Sequence, residues 1–221
     1  AALVIVARRD AYPAFFERLG GLWRAQISPP GAGGYTVQDI AASVWDPEKG
    51  IARPVYLHEA VHALVARRLR LVPGSPGHDW LQDGLANYLQ LCIHPESLPP
   101  DSYPRAFAGG EGRRGYAPLA PLLRANVSGR EYAMLASVVA FLVAERQPWL
   151  RAVARAAADG ADLDVALHAV DGSLVRLEAD WRAFGAKTFT PEAYAAAAGR
   201  HPGFPLPPEW SAPAAPAEAP R

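Results

Sequence analysis

The run His58-Glu59-Ala60-Val61-His62 sets two imidazoles four residues apart with a carboxylate beside the first. At about 3.6 residues per turn, positions 58 and 62 share one face of a helix, so both rings can reach a single ion. Neutral imidazole is a good zinc ligand, and a hydrolytic zinc site keeps three protein ligands and one open position. Glu59 would then stand beside the ion, where a carboxylate can take a proton from water. Two of the three ligands are visible in this motif, so a third has to come from elsewhere in the chain. The plain alternative is a core helix whose two histidines are satisfied by backbone or solvent.

The flanks favour a buried helix. Val55, Tyr56, Leu57, Val61, Ala63, Leu64 and Val65 are apolar, and Arg67, Arg68 and Arg70 put positive charge where a helix C-terminus prefers it. This helix is expected over about 51–71, with Pro54 tolerated in its first turn and Pro73-Gly74 stopping it. A second helix is expected over 80–93, within Asp79-Trp80-Leu81-Gln82-Asp83-Gly84-Leu85-Ala86-Asn87-Tyr88-Leu89.

That second run resembles the WLxEGxAxY signature of the gluzincin metallopeptidases, the thermolysin and aminopeptidase superfamily. In those proteins the Glu before Gly is the third zinc ligand, and Asp83 stands in its place here. The resemblance therefore implies His58, His62 and Asp83 as ligands of Zn2+, with Asp79 and His78 as fallback ligands. Asp is one methylene shorter than Glu, and a carboxylate oxygen must come within about 2.0–2.2 Å of zinc, so the second helix has to lie closer. Asp is the third ligand in another group with the same histidine motif, the aspzincins. Segments 119–123 and 132–143 are similar to the helix that follows the ligand helix in small, largely uncharacterised bacterial gluzincin-like families, and 165–181 to the end of such domains. The likeness spans about 33–185 and is specific at 58–62 and 80–88.

The implied activity is hydrolysis of a peptide or protein substrate. A zinc ion polarises the carbonyl and lowers the pKa of water, and Glu59 acts as general base. A gluzincin adds a Tyr or His donor for the oxyanion. Tyr132, which opens a later helix, is the candidate, with Tyr88, Tyr103 and Tyr116 as alternatives. Asn87, one turn after Asp83, either orients a ligand or is solvated. In gluzincins the strand before the zinc helix forms an open edge that pairs with extended substrate; a strand that only covers the helix is the alternative. Because Asp replaces Glu, a second reading is a catalytically inactive metal-binding or interaction module derived from a gluzincin. A third is a helical structural domain without metal.

The elements that must position these groups read as α+β: a small N-terminal β/α layer followed by a mainly helical zincin-like domain. Leu3 to Ala7 reads as a short buried strand, Asp10 to Leu22 as a helix capped by Asp10, and Gly33–Thr36 and Ile40–Trp45 as strand, break and strand. Helices are expected over 116–125, 130–145, 148–158, 162–169 and 173–185, and a long loop over 93–115. The division is 1–50 as the N-terminal lobe of the catalytic unit, 51–200 as the helical zinc-site domain and 201–221 as a Pro/Ala-rich tail.

Lys plus Arg equals Asp plus Glu at 22 each, so no overall field favours nucleic acid or an anionic membrane, and Arg67, Arg68, Arg113 and Arg114 read as solvated faces. No apolar run reaches the length of a membrane span. Cys92 stands alone, is expected to pack rather than react, and leaves the redox compartment open. The start at Ala1-Ala2 without Met fits removal of a signal peptide and a trimmed chain equally; export, to periplasm or medium, is preferred.

Overall fold

Along the first strand, β1 (Ala2–Val6), Val4 and Val6 turn inward while Leu3 and Ile5 turn outward, the period of two that a pleated strand imposes. The computed structural model describes residues 1–7, 9–23, 33–37, 39–48, 54–71, 78–97, 118–124, 131–161, 173–197 and 200–205. The expected helix at 162–169, most of the long loop with Tyr103 and Tyr116, Arg113 and Arg114, and the chain beyond Pro205 lie outside these residues.

After β1 come α1 (Ala11–Trp23), β2 (Gly34–Val37) and β3 (Ile40–Val44). The sheet order is β1-β3-β2, with β1 parallel and β2 antiparallel to β3. This corrects two expectations. The strand preceding the motif helix, β3, is central and has no open edge; β2 takes the edge position instead. And β1 is not buried: as the other edge strand it leaves Leu3 and Ile5 45% and 49% exposed. Tyr12 and Phe15 of α1 cover one face of the sheet, against Val4, Val6, Ala42 and Val44. On the other face the register aligns Gly34 with Ser43 and Thr36 with Ala41, and this face receives the motif helix, α2 (Val55–Leu69). Sandwiched between two helices, the centre of β3 has room only for small side chains, and Ala41, Ala42 and Ser43 are fully buried.

Pro54 lies at the N-cap of α2 rather than inside its first turn. The helix ends at Leu69, before the expected Pro-Gly stop, because Arg70 adopts a left-handed backbone (φ 54°). Then follow α3 (Asp79–Ile93), a 3-10 turn (Pro95–Ser97), α4 (Leu119–Arg124), α5 (Tyr132–Glu145), α6 (Gln147–Ala158), α7 (Leu174–Thr188) and α8 (Pro191–Ala196). The last helix was not expected from the sequence; Thr190 caps it by accepting from the amide of Ala193.

Buried along most of its length, α5 forms the spine of the main core with Trp80, Leu91, Trp149, Leu177 and Trp181. Within that core the Trp181 indole N–H donates to the Ser137 hydroxyl at 3.1 Å, and the hydroxyl donates to the Met134 carbonyl at 2.7 Å. The expected tail from 201 begins in this core: His201 and Phe204 are buried, and Phe204 packs on Tyr88 and Phe189, since its ring has apolar surface to cover. Among the described residues the architecture is mixed α+β and mostly helical, and no helix is long and apolar enough to cross a membrane.

Candidate metal centre

α2 presents His58 and His62 on the side away from the sheet, and α3 brings Asp83 to them. The Nε2 atoms of the two imidazoles are 3.0 Å apart, and Asp83 Oδ1 lies 3.4 Å from His58 Nε2 and 3.6 Å from His62 Nε2. Tetrahedral ligands with arms of about 2.0–2.2 Å stand about 3.3–3.6 Å from one another, so the two edges to Asp83 match those of a zinc site and the edge between the imidazoles is somewhat shorter. Among the described residues no other group of three His, Cys, Asp or Glu side chains converges in this way. The fallback ligands Asp79 and His78 are not part of the group. The shorter Asp side chain reaches, because α3 lies close.

On its other side α3 is approached closely by α5, at Gly84. A Cβ there would stand 2.8 Å from Val139 Cγ2 and 3.2 Å from the Leu135 carbonyl oxygen, so a bare glycine lets α5 press against α3 beside Asp83. Tyr132 lies one turn before Leu135, and the same contact carries its phenol to the site. Its ring lies 5.4 Å from the His58 ring, and its phenol is in electrostatic reach of Asp83.

Around the cluster the charges act on one another. Burial works against a charged His62, but the hydrogen bond and charge of Asp83, with the charge of Glu59 and the Gln82 acceptor, hold its pKa above the ordinary value. Burial alone would raise Asp83; hydrogen bonds from His58 and His62 and their charge instead bring it down to about 2. Tyr132 is raised, first by burial and then by Asp83 and Glu59, so its phenol keeps its proton. Two imidazoles and a carboxylate gathered this closely could hold a cation.

Glu59 faces the sheet side of the same helix turn and is buried. The Thr36 hydroxyl lies 2.8 Å from Glu59 Oε2 and 2.9 Å from the Glu59 carbonyl oxygen, able to donate to either. A Cβ at position 34 would come within 2.5 Å of Glu59 Cγ and 2.6 Å of Val55 Cγ1, so β2 carries glycine where the carboxylate stem crosses it. Glu59 remains in electrostatic reach of His62 and Tyr132.

All five candidates, His58, Glu59, His62, Asp83 and Tyr132, are thus gathered in one place. Tyr88 is not: it lies against Cys92 and Phe204. Asn87 is neither solvated nor bonded to a carboxylate; its Nδ2 donates to the Asp83 carbonyl oxygen at 2.8 Å, supporting the backbone under the ligand. Cys92 is fully buried, and burial pushes its thiol up to about 11, which fits packing rather than reactivity.

The motif reading did not single out Gln82, Thr36 and Gly34. Gln82 bridges the Leu71 carbonyl oxygen, at 2.6 Å from its Nε2, and His62 Nδ1, at 3.1 Å from its Oε1. In the sequence Gln82 is marked only by standing directly before Asp83, which does not name His62 as its partner. The chain matches no known protein family and no curated protein.

Proposed function

We propose that the chain is a zinc-dependent peptidase of gluzincin type, with a zincin-like catalytic unit in which His58, His62 and Asp83 hold the ion. The observation that carries this is the triangle of two imidazole nitrogens and one carboxylate oxygen, with edges of 3.0, 3.4 and 3.6 Å, beside a buried glutamate. Nitrogen and oxygen donors in this number and spacing suit zinc. When bound, the ion supplies Lewis acidity toward a carbonyl and toward water.

The chain's own groups do the rest. Glu59 takes a proton from the attacking water and hands it to the leaving amine; Thr36 and Gly34 keep its carboxylate from swinging away. Tyr132, still protonated, offers its hydroxyl to the developing oxyanion. Edge strand β2, beside Glu59, is where an extended peptide would align.

The test is Glu59→Gln. Zinc content should be unchanged while chelator-sensitive peptide cleavage drops by about 10²–10⁴-fold. Cleavage at the wild-type rate would end the assignment; zinc without cleavage in the wild-type chain would favour an inactive metal-binding module.

A further inference from the structure

We propose that Gln82 is a positioning residue that holds His62 in its Nδ1–H tautomer, and that the backbone carbonyl of Leu71 imposes this by fixing which way the Gln82 amide faces. The inference rests on the metal-site reading above, and concerns how one ligand is prepared before any ion arrives.

The chain of bonds has one consistent assignment. A backbone carbonyl oxygen can only accept, so the end of the Gln82 side chain 2.6 Å from the Leu71 oxygen is the NH2 group. The flipped amide would set two oxygens against each other at that distance. The Gln82 oxygen therefore faces His62 Nδ1 at 3.1 Å, and since that oxygen also only accepts, Nδ1 carries the hydrogen. A neutral ring protonated at Nδ1 has its lone pair at Nε2, the atom that points at His58 Nε2 and Asp83 Oδ1. Gln82 is 1% exposed, so water does not compete for either end of the amide.

Leu71 is placed for this by the end of α2. The left-handed Arg70 turns the chain, Leu71 becomes fully buried, and its carbonyl oxygen meets α3. The path thus runs from a helix terminus through an amide to a lone pair. Among the described residues no amide meets His58 in this way; besides His62 and Asp83, its ring lies beside Tyr132, at 5.4 Å between ring centres and a tilt of 34°. Of the two imidazoles, His62 is the one set in advance. An amide does this without adding charge, so Asp83 remains the one carboxylate in the triangle.

The experiment uses the whole chain and two readouts that need no turnover. In the metal-free wild-type protein at alkaline pH, nitrogen–proton correlation spectra of the histidine rings should show neutral His62 protonated at Nδ1. In Gln82→Met, which keeps the length and loses the acceptor, the ring should become a mixture of tautomers, and zinc affinity by chelator competition should fall about 10–100-fold. A thermal melt establishes that the variant is folded. An Nε2–H signature for His62 in the wild-type chain, which requires no variant, would overturn the proposal. So would a folded Gln82→Met that binds zinc within about twofold of wild type, against the usual effect of such partners. A chain that shows the Nδ1–H signature but cleaves no peptide would leave this inference standing and end the peptidase assignment.

Discussion

The two sides of α2 are built differently. On the sheet side, a glycine and a threonine of β2 confine Glu59 by close backbone approach and one hydroxyl. On the helix side, α3 and α5 hold the ligand set through a glycine contact, a buried amide and a phenol. In the proposed peptidase one wall would manage a proton and the other an ion, and the α2 backbone joins them. Damage to either wall should therefore have its own signature.

Glu59→Gln should give the largest split, with turnover lost by about 10²–10⁴-fold and zinc retained, measured as cleavage rate against metal content. Gly34→Ala reaches the same outcome from the strand: the new methyl must displace the Glu59 stem, and a shift of about 1 Å is enough to cost about 10²-fold in rate with metal still bound. An unchanged rate in this variant would mean that β2 does not set the position of Glu59.

On the other wall, Gly84→Ala should act through packing. The added methyl meets Val139 and the Leu135 carbonyl, forcing α3 and α5 apart at an expected cost of about 1–3 kcal/mol in unfolding free energy. Zinc affinity should fall with it, because Asp83 and Tyr132 move. A variant that is less stable yet binds zinc as before would separate the helix contact from the site.

The smallest effect is in pH dependence, where the metal-free and zinc-loaded proteins should run in opposite directions. His62 has a folded pKa raised above its unfolded value of about 6.5, so its contribution to metal-free stability is fully present below that pH and is lost as pH rises through the folded value. Zinc requires the neutral rings, so affinity and zinc-linked stability should instead rise over the same interval. Asp83, ionised down to about pH 2, adds no slope there. Chemical denaturation with and without zinc across neutral pH reads both slopes; parallel slopes would contradict the linkage.

Much of the helix wall was legible in the sequence and little of the sheet wall was. A four-residue spacing on a helix is a local property, so the shared face of His58 and His62 follows from period alone. Asp83 and Tyr132 were reached through a signature and a helix start, and both helices were bounded to within a residue or two. Strand order is not local. That β3 is central and β2 and β1 are edges depends on pairing across the chain, which alternation does not encode, so the open edge was assigned to the wrong strand. Thr36 and Glu59 are 23 residues apart, and Gln82 and His62 are 20 apart; nothing in either residue's neighbours announces its partner. The chain from 201 reads as tail because an alternation of Pro, Ala and Glu cannot build a core, but Phe204 finds aromatic partners in Tyr88 and Phe189, and His201 and Phe204 are buried.

The most direct measurement is metal stoichiometry in the purified chain with Asp83→Ala beside it. One zinc per wild-type chain, and loss of that ion in the variant with the fold kept, is the result the triangle of ligands requires. Zinc held undiminished by Asp83→Ala, or a wild-type chain that takes up no metal, would contradict it.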